Sequence, residues 1–410
     1  MRQNLRIDGG RLSSRLERLA AVGALPGGGV CRLALTDEDK AGRDLVAGWM
    51  RELGLAVSID AIGNVTGLRR GAEDGRPVMM GSHIDTVRTG GNYDGCLGVL
   101  AGLEVIETLN EAGIVTRRPL AVTFFTDEEG SRFQPDMLGS LVYAGGLPLQ
   151  QALATVAIDG AVLGEELARI GYAGPAAAGK PNVHAYVELH IEQGPVLDAE
   201  GFTIGAVEGV QGISWTEFTL TGQSNHAGTT PMRMRHDAGY AAAAIASFVR
   251  KLANDIGGNQ VATVGALNLS PNLVNVVAEQ AVMTVDLRNT DEAQLQEAER
   301  RLFAFAEETA AAEGVTVTRR ALARFQPTPF APHLVARVEA IAKEFGLPVR
   351  RLPSGAGHDA QIMAGVCPSC MIFVPSEKGI SHNTTEYTKP DDLAAGANVL
   401  LRLVLELADA

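Results

Sequence analysis

The chain has 410 residues, of which 46% are hydrophobic and 20% charged, a globular composition with enough apolar material for two or three domains. Its net charge of −13 argues against nucleic acid and anionic membranes as partners. No run approaches the roughly 18 consecutive apolar residues that span a bilayer, and the first thirty residues lack a signal-peptide pattern. Since four cysteines also fit a reducing compartment, a cytoplasmic protein is predicted.

The elements predicted for the first half alternate between helices and short apolar strands. One helix, 37–53, follows the N-cap residue Thr36 and ends at Gly54, and another covers 97–109. The apolar runs that predict strands are 55–59, 77–81, 120–126 and 184–189. Strands that alternate with helices predict an α/β fold with a mainly parallel sheet, covered on both faces.

From about residue 213 the pattern changes to that of a smaller α+β unit. Its predicted elements, in the order β-α-β-β-α-β, are 213–221, 238–252, 261–269, 276–288, 291–312 and 315–320. After residue 330 the α/β pattern returns, with helices at 333–345 and from 393, and an apolar run at 371–375. We therefore predict a discontinuous catalytic, metal-binding domain, 1–211 and 326–410, with an inserted domain at 212–325.

Side chains of the kind that bind metals follow four predicted strands. They are His83 and Asp85, then Asp127, Glu128 and Glu129, then His190 and Glu192, and finally His382 after a short loop. A single histidine after a strand is more often a packing residue. However, the carboxyl ends of parallel strands share the sheet edge at which ligands bind. Three histidines and two carboxylate clusters at that edge therefore predict a metal site.

The residue types indicate the chemistry of this site. Nitrogen and oxygen ligands suit Zn²⁺, and also Mn²⁺, Co²⁺ or Ni²⁺. Five ligands, one of them a bridging carboxylate, would hold two ions about 3.5–4 Å apart. Adjacent Glu128 and Glu129 allow one carboxylate to bind metal while the other transfers protons. Asp85 is expected to accept a hydrogen bond from His83 and so fix its tautomer.

Six segments identify a family resemblance. They are GSHIDTVRTGGNYDG (81–95), FTDEEGSRF (125–133), ELHIEQGPVL (188–197), SNHAGTTPM (224–232), SGAGHDAQ (354–361) and GISHN (379–383). Together they resemble the hydantoinase/carbamoylase family of metal-dependent amidases, from about residue 40 to the C-terminus. The resemblance implies two divalent metal ions, with Glu128 as the general acid and base. The implied ligands are His83, Asp94, Glu129, His190 and His382, with Asp94 bridging.

The resemblance also implies a homodimer, formed through the inserted domain, which closes on the metal domain as a lid. His226 would reach across the dimer to stabilise the developing oxyanion. Asn275 and Arg288 would hold the substrate carboxylate, for which a guanidinium fork is well suited. Gln193 and Gly357 are further predicted substrate contacts.

The predicted function is metal-dependent hydrolysis of the carbamoyl amide of an N-carbamoyl-L-amino acid or similar small ureido acid, by a metal-activated water with Glu128 as base. HIEQGPVL looks more like carbamoylases, whereas HDAQ looks comparable to allantoate amidohydrolases, so allantoate and ureidoglycolate amidohydrolases are alternatives. A dipeptidase is a third alternative. A non-catalytic binding protein is disfavoured, because every predicted ligand and the acid/base residue are present.

Overall fold

The computed structural model describes residues 4–179 and 182–410. Its helices are α1 (Gly9–Ala20), α2 (Asp37–Glu52), α3 (Cys96–Glu111), α4 (Leu138–Ala144), α5 (Leu149–Leu153), α6 (Leu163–Ile170), α7 (Val196–Glu200), α8 (Ala238–Ile256), α9 (Glu292–Glu313), α10 (Pro332–Glu344), α11 (Asp359–Met363) and α12 (Pro390–Asp409). Its strands are β1 (Ala56–Ile59), β2 (Val65–Arg69), β3 (Val78–His83), β4 (Leu120–Phe125), β5 (Ala185–Ile191), β6 (Ile204–Val210), β7 (Gly212–Thr221), β8 (Asn225–His226), β9 (Val261–Ser270), β10 (Val276–Val277), β11 (Gln280–Asn289), β12 (Thr316–Phe325), β13 (Thr328–Pro329), β14 (Val349–Ser354) and β15 (Ser369–Val374).

The described residues divide into two compact units. The first contains the chain up to Gly209 together with Pro329–Ala410, and the second is Val210–Thr328. The large sheet has the strand order β1-β2-β4-β3-β5-β15-β6-β13, with β14 beside β6. Its four central strands, β4, β3, β5 and β15, are parallel to their neighbours in this group, so the predicted mainly parallel centre is confirmed. The antiparallel neighbours β2 and β6 were not predicted.

The central strands and the helices beside them are positioned by apolar burial. Every residue of β3, β4, β5 and β15 is buried, as expected for parallel strands covered on both faces. The predicted helices at 37–53 and 97–109 are confirmed as α2 and α3, and Thr36 Oγ1 accepts the Asp39 N–H of α2 at 3.3 Å. No helix in the described parts of the chain is both long and apolar enough to cross a lipid bilayer.

The second unit is an antiparallel sheet, in the order β12-β7-β11-β9, packed against α8 and α9. Along β7 and β11 buried residues alternate with more exposed ones, because only one face of the sheet packs on the helices. The core includes Phe218 and Leu220 of β7 and Met283, Val285 and Leu287 of β11.

The single strand predicted at 276–288 is wrong, because it is two strands, β10 and β11. Between them the Ala278 carbonyl accepts the Ala238 N–H at 3.1 Å, and the Glu279 N–H donates to Ser270 at 3.0 Å. These bonds turn the backbone away from a continuous ladder. As a result β10 pairs with β8, whereas β11 pairs with β7 and β9.

Candidate metal centre

The five predicted metal ligands come together at the carboxyl ends of the four parallel strands. His83 is the last residue of β3, and His190 is the penultimate residue of β5. Glu129 follows β4, His382 lies on the loop after β15, and Asp94 lies two residues before α3. Parallel neighbours end at the same edge, so residues far apart in sequence are placed side by side.

Asp94 lies between two groups of ligand atoms. Its Oδ1 is 3.2 Å from His190 Nε2 and 3.8 Å from His83 Nε2. Its Oδ2 is 3.2 Å from His382 Nε2, which is in turn 3.3 Å from Glu129 Oε2. The two groups, His83–Asp94–His190 and Asp94–Glu129–His382, therefore share one buried carboxylate.

The spacing of these atoms fits divalent cations. Ligand atoms about 2.1 Å from a tetrahedral ion lie about 3.4 Å from one another, close to the distances around Asp94. Glu129 Oε1 is buried and has no hydrogen-bond partner in the part of the chain that the structure describes. A buried carboxylate oxygen without a hydrogen-bond donor is strongly unfavourable unless a cation neutralises it. Each group is therefore a candidate metal site.

Backbone carbonyls orient two of the histidines. His83 Nδ1 lies 2.9 Å from the carbonyl oxygen of Asp85, and His190 Nδ1 lies 2.9 Å from that of Ile191. A carbonyl only accepts, so each ring carries a proton on Nδ1, and Nε2 is the atom that faces the candidate ion position beside Asp94. Burial lowers the pKa of His83 to about 4, which keeps its ring neutral as metal binding requires.

The prediction that Asp85 accepts a hydrogen bond from His83 and fixes its tautomer is confirmed. The backbone carbonyl of Asp85 does so, and its carboxylate points elsewhere. Its two oxygens accept the backbone N–H groups of Glu128 and Glu129, each at 3.3 Å. Asp85 thereby joins the end of β3 to the acidic turn after β4.

Glu128 lies beside the ligand groups without belonging to either. Its Oε2 is 3.4 Å from His83 Nε2, and only 7% of the residue is exposed. Burial, followed by the negative charges of Asp359 and Glu129, raises the pKa of Glu128 well above its usual range. A carboxyl group of this kind can both accept and return a proton near neutral pH.

The site opens into a cleft of about 450 Å³, within the range for small-molecule sites. Its lining residues are His83, Asp94, Glu128, Glu129, Asp136, Gln193, Ala356, Gly357, His358 and His382. Asp136 and His358 were not predicted as site residues. His358 lies in the quoted segment SGAGHDAQ, which was the available signal, whereas Asp136 lies in a stretch, 134–182, without a recognisable motif.

Comparison with known proteins identifies the family. The sequence pattern of peptidase family M20/M25/M40 matches residues 79–406. The chain belongs to this family. An N-carbamoyl-L-amino-acid amidohydrolase of Rhizobium meliloti is 43% identical to it over 408 residues, which cover 99% of this chain and 98% of the relative. A ureidoglycolate hydrolase of Arabidopsis thaliana is 34% identical over 417 residues, covering 99% and 88%.

Solved structures agree with this assignment to the M20/M25/M40 family. The crystal structure of an amidase of the hydantoinase/carbamoylase family from Burkholderia multivorans matches with a TM-score of 0.97 and 46% identity, covering 99% of each chain. The resemblance to the hydantoinase/carbamoylase family is therefore confirmed. This M20/M25/M40 family member is an amidohydrolase that acts on C–N bonds.

Two predicted substrate contacts of this M20/M25/M40 amidohydrolase line the cleft. Gln193 Nε2 donates to Asp94 Oδ2 at 2.9 Å, and Gly357 lies on the cleft wall. Gln193 has a left-handed φ of 57°, as do Asp127 and His382 with values of 57° and 51°. Side chains other than glycine rarely adopt this conformation, and such strain is concentrated at functional sites.

The other predicted contacts lie in the second unit. His226 and Asn275 are neighbours, because β8 pairs with β10 and the Ala227 N–H donates to the Asn275 carbonyl at 2.8 Å. Arg288 lies eight residues along β11 from its start at Gln280, a length of about 26 Å. Within one chain the structure thus brings Asn275 to His226 and not to Arg288.

The side chain of Arg288 has a carboxylate partner of its own. Its Nη2 is 2.8 Å from Asp286 Oδ2, and its guanidinium lies over the Trp215 ring, 5.9 Å from the centroid. Both contacts orient the planar guanidinium fork on the sheet.

Proposed function

We propose that this protein hydrolyses the carbamoyl amide of N-carbamoyl-L-amino acids, with two divalent metal ions bound at the Asp94 centre. The main support is the arrangement around Asp94: two ligand groups share its carboxylate, and a protonatable glutamate, Glu128, lies beside them in a cleft. The relative from Rhizobium meliloti, whose name states this activity, matches almost the whole chain.

One ion would be held by His83, Asp94 and His190, and the other by Asp94, Glu129 and His382. Zn²⁺ is expected, because it accepts mixed imidazole and carboxylate ligands, and Mn²⁺, Co²⁺ or Ni²⁺ are alternatives. When bound, the two ions would lower the pKa of a water molecule and polarise the substrate carbonyl.

Glu128 is the proton carrier of the proposed reaction. It takes a proton from the water that attacks the carbamoyl carbon and later gives it to the leaving amino nitrogen. The bond between the carbamoyl carbon and the amino nitrogen breaks, which releases the free amino acid and carbamic acid. The carbamic acid then decomposes to carbon dioxide and ammonia. Because burial raises its pKa, Glu128 is suited to both proton transfers.

His226 has the tautomer that an oxyanion donor needs. Its Nδ1 accepts the backbone N–H groups of Gly228 at 3.1 Å and Thr229 at 3.3 Å, so the ring proton is on Nε2. A neutral N–H in this position would stabilise the negative charge that develops on the substrate oxygen. Asn275 neighbours His226, so both are expected to come from the same subunit, while Arg288 would bind the substrate carboxylate.

The proposal keeps the wider expectations from the sequence. The unit at 212–325 is proposed to act as lid and dimer interface of a homodimer. All four cysteines, Cys31, Cys96, Cys367 and Cys370, are free, in line with a reducing, cytoplasmic location.

Ureidoglycolate is the second candidate substrate, because the Arabidopsis thaliana relative with that name covers 99% of this chain. It shares the ureido and carboxylate groups on which the proposal depends. Allantoate has the same groups and belongs in the same assay.

The test is substrate preference of the metal-loaded protein. Release of ammonia and of the second product would be measured with N-carbamoyl-L-amino acids, their D-enantiomers, ureidoglycolate, allantoate and dipeptides. We expect the highest kcat/KM for an N-carbamoyl-L-amino acid, with little turnover of the D-enantiomer. Higher kcat/KM with ureidoglycolate or allantoate would reassign the substrate, and turnover of none of them would overturn the proposal.

A further inference from the structure

The loop that carries His382 is exposed but closed at its base. It follows β15, and the Thr388 hydroxyl donates to the Pro375 carbonyl at 2.8 Å, while the Glu377 N–H donates to Tyr387 at 2.9 Å. The side chain of His382 is 49% exposed and its φ is 51°. A ligand on such a loop needs support that a histidine on a buried strand already has.

Glu386, in the same loop, supplies bonds to both sides of the site. Its Oε2 accepts the hydroxyl of Ser381, the residue before His382, at 2.8 Å. Its Oε1 accepts the backbone N–H groups of Tyr93 at 3.1 Å and Asp94 at 3.2 Å. Only 5% of Glu386 is exposed. One buried carboxylate therefore joins the His382 loop to the backbone of the shared ligand Asp94.

Gly91 provides the space for this carboxylate. A Cβ at position 91 would overlap the side chain of Glu386 from its own Cβ to its carboxylate oxygen. The overlap includes the Cβ, so a rotation of the carboxylate alone would not relieve it. The turn before Asp94 and the buried glutamate thus fit together only without a side chain at position 91.

We infer that Glu386 is a positioning residue of the metal centre, which holds Asp94 and His382 at the spacing that the Asp94–Glu129–His382 ion requires. The inference rests on the proposed function. Among the described residues, the groups close enough to share an ion do not include Glu386, so it acts through the two ligands.

Glu386 should matter more for the binding of one ion than for the binding of the other. His83 and His190 are held by buried strands and by backbone carbonyls that accept their Nδ1–H groups. His382, by contrast, depends on its loop. Loss of Glu386 should therefore weaken the ion at Glu129 and His382 and largely spare the other.

The experiment is titration of the metal-free full-length protein with Zn²⁺ in competition with a chelator. For Glu386→Ala we expect one of the two ions to bind at least about tenfold more weakly, because loss of a hydrogen-bond partner of a metal ligand typically weakens metal binding by this amount or more. The affinity for the other ion should change less than about threefold. Glu386→Gln should stay close to wild type, because its amide oxygen still accepts the two N–H groups and its NH₂ donates to Ser381.

Three further variants make the test specific. Gly91→Ala should weaken the same ion although Glu386 is present, and Ser381→Ala should do so to a smaller degree. Glu377→Gln, in the same loop with a side chain 38% exposed, is the matched control and should bind both ions like wild type.

The outcomes separate this inference from the proposed function. Equal affinity of wild type and Glu386→Ala for both ions, or equal weakening of both ions, would overturn the positioning role alone. If Glu386→Ala fails to fold, the other two variants decide. An unchanged affinity for the ion of the Asp94–Glu129–His382 group in both Gly91→Ala and Ser381→Ala would then overturn the positioning role. A wild-type protein that binds fewer than two ions would overturn the proposed function, and this inference with it.

Discussion

The replacement Glu128→Gln tests the proposed chemistry most directly. Glutamine has nearly the shape of glutamate but does not accept a proton near neutral pH. Because Glu128 belongs to neither ligand group, the variant should bind both metal ions as the wild type does. It also removes a carboxyl group whose charged form is disfavoured by burial, so the melting temperature should not fall.

The expected loss of rate follows from the role of Glu128. A positioned general acid and base contributes about 10²–10⁴ in rate, which corresponds to about 3–5 kcal/mol of transition-state stabilisation. Glu128 Oε2 lies 3.4 Å from His83 Nε2 in the wall of the cleft, so its carboxyl group is adjacent to a candidate metal site. We therefore expect kcat to fall by at least two powers of ten, with KM changed much less.

The assay is amino acid release from an N-carbamoyl-L-amino acid at saturating substrate, together with metal content and thermal unfolding of each variant. Glu165→Gln, an exposed glutamate on α6, is the control and should retain the wild-type kcat. The assignment of Glu128 as proton carrier is refuted if Glu128→Gln keeps more than a tenth of kcat while fully metal-loaded. Loss of a metal ion in this variant would instead show that Glu128 is a ligand.

Three other outcomes are expected. Arg43→Met leaves the fully buried Asp39 carboxylate without its partner at 2.7 Å, so urea unfolding should show that the free energy of unfolding falls by about 3–5 kcal/mol. The control Lys40→Met, on the exposed side of the same helix, should lower it by no more than about 1 kcal/mol. Chelation should abolish activity and lower the melting temperature, since each ion at 100 times its Kd adds about 2.7 kcal/mol; activity that survives chelation would contradict the metal centre. Arg288→Lys should raise KM roughly tenfold with kcat less affected, and an unchanged KM would exclude Arg288 as the carboxylate anchor.

Much of the site is predictable because strand ends leave local signals. The runs before His83, Glu128 and His190 are apolar enough to be buried strands, and metal-type side chains follow at once. Asp94 has no such strand before it. Its place depends on α3, and on Gly95, whose φ is 64° and where a Cβ would overlap the His83 ring. Only the family resemblance indicated it as a ligand.

Periodicity and capping are properties of neighbouring residues, so the sequence by itself determined the parallel centre of the sheet, the helix that begins after Thr36 and the edge at which the polar side chains gather. Hydrogen-bond partners distant in sequence carry no such local signal. Only the tertiary structure decided that the Asp85 carbonyl, and not its carboxylate, orients His83, that Asn275 lies beside His226 and away from Arg288, and that Glu386 joins two ligand loops. Each of these depends on which backbone groups the packed sheet leaves within reach.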